Sequence, residues 1–352
     1  MIVSDRISYL QNLESDSWNF EQFYRHKFSG RKLYILCDEN TQEACLPLLD
    51  HSFGQTFADA ELIVVEAGET SKTIEVYQGV METLIDLNAD RSSVLLNLGG
   101  GVVTDLGAFV AATFKRGISF INVPTSLLAM VDAAFGSKNG INLGPHKNQI
   151  GSFKKADRYI LHPGFLNSLD SKQILEGKVE MLKHGLISDP IHWREIEAKA
   201  VPTMEQIKRS INIKLDICDK DPYEKNERKK LNFGHSIGHA IEAWAGNRGS
   251  SVSHGSAVAV GMICESFLSM SSGLSKEAVH DISEKLMSFH PRINFDSADI
   301  EMILNFLGSD KKRVGKKNNF TAISSIGEAV INTNPSQEEI RESLVYYQKF
   351  KS

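Results

Sequence analysis

Residues 94–125, VLLNLGGGVVTDLGAFVAATFKRGISFINVPT, hold the strongest constraint in the chain. An apolar run from Val94 to Leu98, short enough for a buried strand, ends at three consecutive glycines, Gly99, Gly100 and Gly101. The spacing of VVTDLGAFVAATF then suits a helix, and Ile118 to Val123 reads as a second strand. A strand, glycine turn, helix and strand in that order favour a parallel sheet, since parallel neighbours are joined by a crossover. Three residues without side chains also let a pyrophosphate approach the backbone at a helix N-terminus, where free N–H groups and the dipole favour an anion. The triplet is thus a nucleotide seat or simply a turn, and taken alone it does not choose.

The flanking sequence repeats the pattern. Residues 1–30 suggest an N-terminal strand and loop. Lys32 to Cys37 reads as a buried strand ending in Asp38, Glu39 and Asn40, at the sheet edge where open α/β folds hold ligands. Asp38 or Asn40 there could accept from ribose hydroxyls, or only cap a helix over 41–49. Leu62 to Glu66 forms another strand, and GETSKT leaves Glu69 and Lys72 at the same edge before a helix over 73–87. Strand and helix alternate four times, which predicts a doubly wound parallel sheet over residues 1–160. Residues 123–153 are rich in Gly, Asn and Lys and read as an irregular loop. Asp132 sits on a short helical piece, and Lys138, Lys147 and Asn148 beyond it either grip a phosphate or carboxylate or are merely solvated.

From Pro163 the strand signal fades and helical spacing takes over, at 165–187, 192–200, 203–218, 231–244, 255–273, 275–288 and 299–308, before a hairpin at 321–331 and a closing helix at 337–350. A second, mainly helical domain over 161–352 follows, and two domains around one cleft suit 352 residues. Within it His235 and His239 lie four apart and face the same way on a helix. His254 opens another helix, and Glu180, with Lys183 three positions on, a third. Imidazoles and a carboxylate suit zinc or a similar divalent ion, although histidines at this spacing are also ordinary surface or core residues. Lys214, Glu224, Arg228 and Asn232 form a polar series that lines the same cleft or a solvated, ion-paired helix face.

A net charge of −5 provides no basic field for nucleic acid or anionic membrane. Four scattered cysteines without CxxC spacing, no signal peptide and no apolar stretch of spanning length suggest a cytoplasmic protein.

Nine motifs in one order carry a resemblance: GETSK at Gly68, GGGVVTD at Gly99, MVD at Asp132, GSKNGIN, HKNQIG, VEMLK, RKKLNFGHSIGHAIE, SHG and DKK at Asp310 to Lys312. From about Asp38 to Lys312 the chain resembles the 3-dehydroquinate synthase family of sugar phosphate cyclases. That implies a Rossmann-like NAD-binding domain ahead of a helical metal-binding domain, usually in a homodimer. It implies NAD contacts at Asp38, Asn40, Glu69, Lys72, Gly99, Gly100, Gly101, Val102, Asp105, Thr125, Ser126 and Leu128, with further ones near Phe165, Ser168 and Leu169. Asp132, Lys138 and Lys147 would also border the cofactor. The metal, zinc or cobalt, would be held by Glu180, His235 and His254, so His239, which spacing alone makes a ligand, becomes a substrate neighbour. Substrate contacts carry over onto Asp132, Lys138, Lys147, Asn148, Lys183, Lys214, Arg228, Asn232, His239 and Lys311, while Arg116 would reach the phosphate in the partner's site.

The implied reaction is a phosphate-eliminating lyase step of the shikimate pathway. 3-Deoxy-arabino-heptulosonate 7-phosphate is transiently oxidised at C5 by NAD, loses phosphate, is reduced again, opens and closes by aldol addition to 3-dehydroquinate. Lys138, Asn148, His239 and Arg116 would hold the phosphate, and Lys214, Arg228 and Lys311 the carboxylate, with Asn232 nearby. The sequence departs from the family at Lys178 and Val179, at Ser126, at Gln173, at GSK in place of GGK and in a lengthened 245–253 segment. None of these removes a ligand or charged contact. Three rivals differ in what they need: a sister cyclase lacks the substrate carboxylate, a glycerol dehydrogenase-type enzyme needs no phosphate grip, and a regulatory nucleotide binder turns nothing over.

Overall fold

The computed structural model describes residues 7–9, 19–144, 146–309 and 319–351. The chain divides into two compact units, 1–173 and 174–352, so the division falls later than the sequence change of period at 160. The residues between still belong to the sheet unit, because a strand at Arg158–Leu161 and a 3₁₀ turn at Pro163–Ser168 complete it.

The first unit is built on six strands, β1 (Ile7–Tyr9), β2 (Leu33–Asp38), β3 (Glu61–Val65), β4 (Val94–Gly99), β5 (Ser119–Pro124) and β8 (Arg158–Leu161). Their order is β1-β8-β5-β4-β2-β3 and every pairing is parallel. All six residues of β4 are buried, as a central strand covered on both faces requires. The helices are α1 (Phe20–Phe28), α2 (Glu39–Ala44), α3 (Leu46–Phe53), α4 (Gln55–Ala58), α5 (Ile74–Asp86) and α6 (Gly101–Thr113). This is the doubly wound sheet expected from the alternation.

Local details depart from expectation. Helix α1, begun by Asn19 accepting from the Gln22 amide, stands where the sequence suggested only loop; its aromatics Phe20, Tyr24 and Phe28 lie four apart and are buried. The helix expected over 41–49 is two helices, because Pro47 has no N–H to continue the first and instead opens the second. The supposed loop after residue 137 is an antiparallel hairpin, β6 (Lys138–Leu143) with β7 (His146–Phe153). Gly140 and Gly151 face each other across it, where a Cβ would lie 2.5 and 2.2 Å from carbonyl oxygens, so the close pairing itself demands the glycines that made the sequence look irregular.

The second unit is helical: α7 (Ser171–Ser188), α8 (Pro190–Glu195), α9 (Met204–Lys220), α10 (His235–Asn247), α11 (His254–Leu268), α12 (Lys276–Met287), α13 (Ser297–Ser309) and α14 (Gln337–Lys349), with one hairpin, β9 (Phe320–Ser325) and β10 (Glu328–Thr333). The helix expected over 165–187 begins only at Ser171. The one expected over 231–244 is broken: a 3₁₀ turn spans Glu227–Asn232, Gly234 takes a left-handed conformation at φ 81°, and α10 starts at His235. Side-chain oxygens of Thr203, Ser253, Ser275 and Ser336 accept amides at the starts of α9, α11, α12 and α14. The four cysteines are buried. No helix among the described residues is long and apolar enough to cross a membrane.

Candidate active site

In the sheet unit the strand order reverses between β2 and β4, and open parallel sheets bind ligands outside the carboxyl ends of strands at that switch point. The residues singled out in the sequence stand there. Asp38 ends β2, Gly99 ends β4, and Thr125 and Ser126 follow β5. Helix α6 begins beyond Gly100 with no side chain capping its amides, so its N–H groups stay available to an anion. Val102 and Asp105 lie in its first turns. Buried Lys72 reaches across to Asp105, Nζ to Oδ2 at 2.5 Å. Asp38 meanwhile caps α2, accepting from the Thr41 amide at 2.8 Å, so the capping role that the sequence left open is filled. Asn40 is exposed in α2. Leu128 leads into a π-helical turn, Ala129–Ala133, that carries Asp132. Phe165 is buried in its 3₁₀ turn; Ser168 and Leu169 end that turn.

The β6–β7 hairpin is tied to the Glu69–Lys72 turn. Asn142 donates its side-chain amide to Glu69 Oε1 at 2.9 Å and its backbone N–H to the Lys72 carbonyl at 2.8 Å. The Asn148 amide in turn donates to Asn142 Oδ1 at 2.9 Å. Lys138, Lys147 and Asn148 are thus held on rigid backbone and exposed, rather than scattered along a loop. Asn148 has φ 55° and Arg116, exposed beyond α6, φ 70°, a left-handed geometry that side chains other than asparagine adopt at a cost.

In the helical unit, Glu180 of α7, His235 of α10 and His254 of α11 converge. Glu180 Oε1 lies 3.5 Å from His235 Nε2 and 3.7 Å from His254 Nε2. A tetrahedral ion with ligand bonds of about 2.0–2.1 Å sets its ligand atoms about 3.3–3.4 Å apart, so the trio is spaced for one ion. Its chemistry fits as well, since Glu180 is buried and both imidazoles are turned by their other nitrogen. His235 Nδ1 faces the Phe233 carbonyl at 3.3 Å, and His254 Nδ1 faces Glu242 at 3.5 Å, leaving each Nε2 toward Glu180. Burial, with Lys183 nearby, holds His235 down to about 3. For His254 burial alone would lower the imidazole, but Glu180 and Glu242 lift it to about 10, and a metal would displace that proton. Lys183 Nζ closes on Glu180 Oε2.

His239, although its exposed ring is as near to that of His235 as His254's is, 5.4 Å in each case, falls in a second group with Glu242 and His254 rather than with Glu180. Sequence spacing made His239 a ligand and gave Glu242 no role; the fold makes Glu242 the carboxylate behind His254. Lys214 on α9 and Arg228 on the 3₁₀ turn are buried, so they do not form a solvated helix face. Arg228 donates to the Pro222 carbonyl at 2.9 Å and Asn232 to Glu224 at 2.6 Å, with Glu224 held at φ 57°. Lys178 is buried with its ammonium on the Ala198 carbonyl at 2.9 Å, a structural use of that departure from the family. Lys311 lies outside the described residues.

Two family models match the chain, 3-dehydroquinate synthase N-terminal over residues 62–176 and 3-dehydroquinate synthase C-terminal over 177–313. The chain belongs to the 3-dehydroquinate synthase family. The 3-dehydroquinate synthase of Parabacteroides distasonis is 38% identical over 325 residues, 90% of this chain and 92% of the relative. That of Thermoanaerobacter pseudethanolicus is 36% identical over 322 residues, 88% and 89%. Among solved structures, 2-epi-5-epi-valiolone synthase from Streptomyces hygroscopicus subsp. jinggangensis 5008, with NAD+ and Zn2+ bound, superposes with a TM-score of 0.81 at 23% identity, covering 98% of this chain and 97% of that one. A 2-deoxy-scyllo-inosose synthase complexed with carbaglucose-6-phosphate, NAD+ and Co2+ gives 0.76 at 22%, covering 97% of each. At such identities these structures speak for the fold alone, and the family assignment rests on the sequence relatives.

Proposed function

We propose that the chain converts 3-deoxy-arabino-heptulosonate 7-phosphate to 3-dehydroquinate and phosphate, with NAD and a divalent ion, zinc or cobalt, as resident cofactors. The observation that carries the reading is the approach of Glu180, His235 and His254, one ligand atom each, within a family whose relatives carry that activity by name. When bound, NAD supplies the transient oxidation and the metal a Lewis acid for the sugar oxygens. The chain's own residues bind and orient. In the first unit the amides at Gly100 and Gly101 and the Lys72–Asp105 pair serve the dinucleotide, joined by Asp38, Glu69, Thr125 and Ser126. Lys138, Lys147 and Asn148 offer a phosphate two ammonium groups and an amide on a fixed hairpin. In the second unit the buried cations Lys214 and Arg228, with Asn232, suit the substrate carboxylate, because a buried cation gains most from a charged partner. Carboxylate recognition separates this reading from the sister cyclases.

Phosphate release should be prompt from 3-deoxy-arabino-heptulosonate 7-phosphate with metal-loaded enzyme and catalytic NAD, with no net NADH. Sedoheptulose 7-phosphate and glucose 6-phosphate should stay intact. Release only from one of the latter moves the protein to a sister cyclase, and silence with all three sinks the assignment.

We also infer a homodimer in which Arg116 serves the neighbouring subunit. Its exposed, left-handed placement supports this, since strain of that kind persists where the side chain is used. Mixing Arg116→Ala with Glu180→Gln subunits should restore about a quarter of parental activity, because mixed dimers then keep one intact site. No recovery on mixing would place Arg116 in its own subunit's site, and parental activity of Arg116→Ala alone would place it outside any.

A further inference from the structure

Helix α10 presents His235 at its first residue, yet nothing in its own sequence caps it. Its N-cap is Gly234, which has no side chain, and the first-turn amides would be orphaned in the core. The missing acceptor comes from the neighbouring helix. Glu265 of α11, 1% exposed, accepts the Gly234 N–H on Oε2 at 2.7 Å and the Ile237 N–H on Oε1 at 3.2 Å. One carboxylate therefore holds the amides on either side of His235.

Glu265 also shares a helix with a ligand. Eleven residues separate it from His254, close to three whole turns, so both side chains leave α11 on the same face about 17 Å apart. That face lies hard against α10. A Cβ on Gly261 would sit 1.9 Å from the Gly234 carbonyl oxygen, and one on Gly238 would sit 3.1 Å from the Ala257 carbonyl oxygen. Helix α11 thus delivers one imidazole from its first turn and clamps the turn bearing the other from its last.

We propose that Glu265 is a positioning residue of the metal centre: through the first turn of α10 it sets where His235 stands relative to Glu180 and His254. Its own atoms touch neither metal nor substrate. The proposal rests on the metal reading above, and on the clamp geometry in addition. It predicts that loosening the clamp degrades metal binding beyond any general loss of stability, in the way that outer-sphere partners of metal ligands do.

The test uses full-length protein stripped of metal and titrated with Co2+, following affinity and the visible absorption of the bound ion. Glu265→Gln keeps one acceptor oxygen and the side chain's shape, and should bind Co2+ several-fold more weakly. Glu265→Ala should lose about 10- to 100-fold, with an altered spectrum. Leu286→Ala, a buried change on α12, serves as the control and should lower the melting temperature with no change in Co2+ affinity or spectrum. Parental affinity and spectrum in Glu265→Gln and Glu265→Ala would overturn the proposal, as would an equal loss in Leu286→Ala. Failure of the parent protein to bind Co2+ is a different result; it removes the metal reading itself and this inference with it.

Discussion

Glu180→Gln should bring phosphate release down by about a thousand-fold or more and abolish tight binding of a divalent ion. The carboxylate is completely buried and its Oε1 faces both imidazoles, so no side chain on the surface can replace it. An amide keeps the shape but surrenders the negative charge, and a Lewis acid contributing several kcal/mol to the transition state is lost with the ion; about 4 kcal/mol corresponds to three decades of rate. The same change leaves the buried Lys183 ammonium without this carboxylate, and breaking a buried pair from one side costs about 3–5 kcal/mol. Both losses should therefore be seen, one in kcat/KM and metal titration, the other in the urea midpoint. A Glu180→Gln enzyme with parental metal affinity and activity within about ten-fold, or roughly 1.4 kcal/mol, would remove Glu180 from the centre.

The second large effect is expected at Gly261→Ala. Inside a helix, alanine in place of glycine favours folding by up to about 1 kcal/mol. Here the new methyl would stand 1.9 Å from the Gly234 carbonyl oxygen, against a main chain that also forms the start of α10. Helices α10 and α11 would have to part, and overpacking of that kind costs about 1–3 kcal/mol or more, so sterics outweigh propensity. Net destabilisation should be accompanied by weaker metal binding, because the displaced backbone carries His235. At Gly246, near the end of α10, an added methyl would meet nothing within 4 Å, and Gly246→Ala should be neutral or slightly stabilising. Comparison of the two by urea unfolding checks the argument; similar midpoints for both would show that the seam is softer than its spacing implies.

What could be read in the sequence was what periodicity encodes. The β4–α6–β5 unit is apolar in the right rhythm and sits where that rhythm places it, and the change to helical spacing marks the second unit. The β6–β7 hairpin escaped because its residues are poor strand formers, and its register comes from glycines meeting across the ladder, a pairing visible only in three dimensions. The break at Gly234 escaped for a related reason: the turn before it and the helix after it share one apolar period. At the metal site, spacing on a single helix proposed His235 with His239, whereas the ion-spaced trio draws on three helices far apart in sequence. No local rule finds such a set, although the family resemblance pointed to it. Glu265 left one faint signal, an acid inside the apolar stretch AVAVGMICESF, where a carboxylate is costly unless donors meet it.

The left-handed residues bear on any attempt to make this protein hardier. Backbone geometry alone would nominate Arg116 and Glu224 for replacement by glycine, since each occupies a region that glycine enters freely. Arg116 is proposed to serve the phosphate and Glu224 holds Asn232, so relief of strain there would be gained at the expense of turnover. Asn88, at φ 60° just beyond α5, already carries the side chain that takes this geometry at little cost, so glycine there would only loosen the unfolded chain.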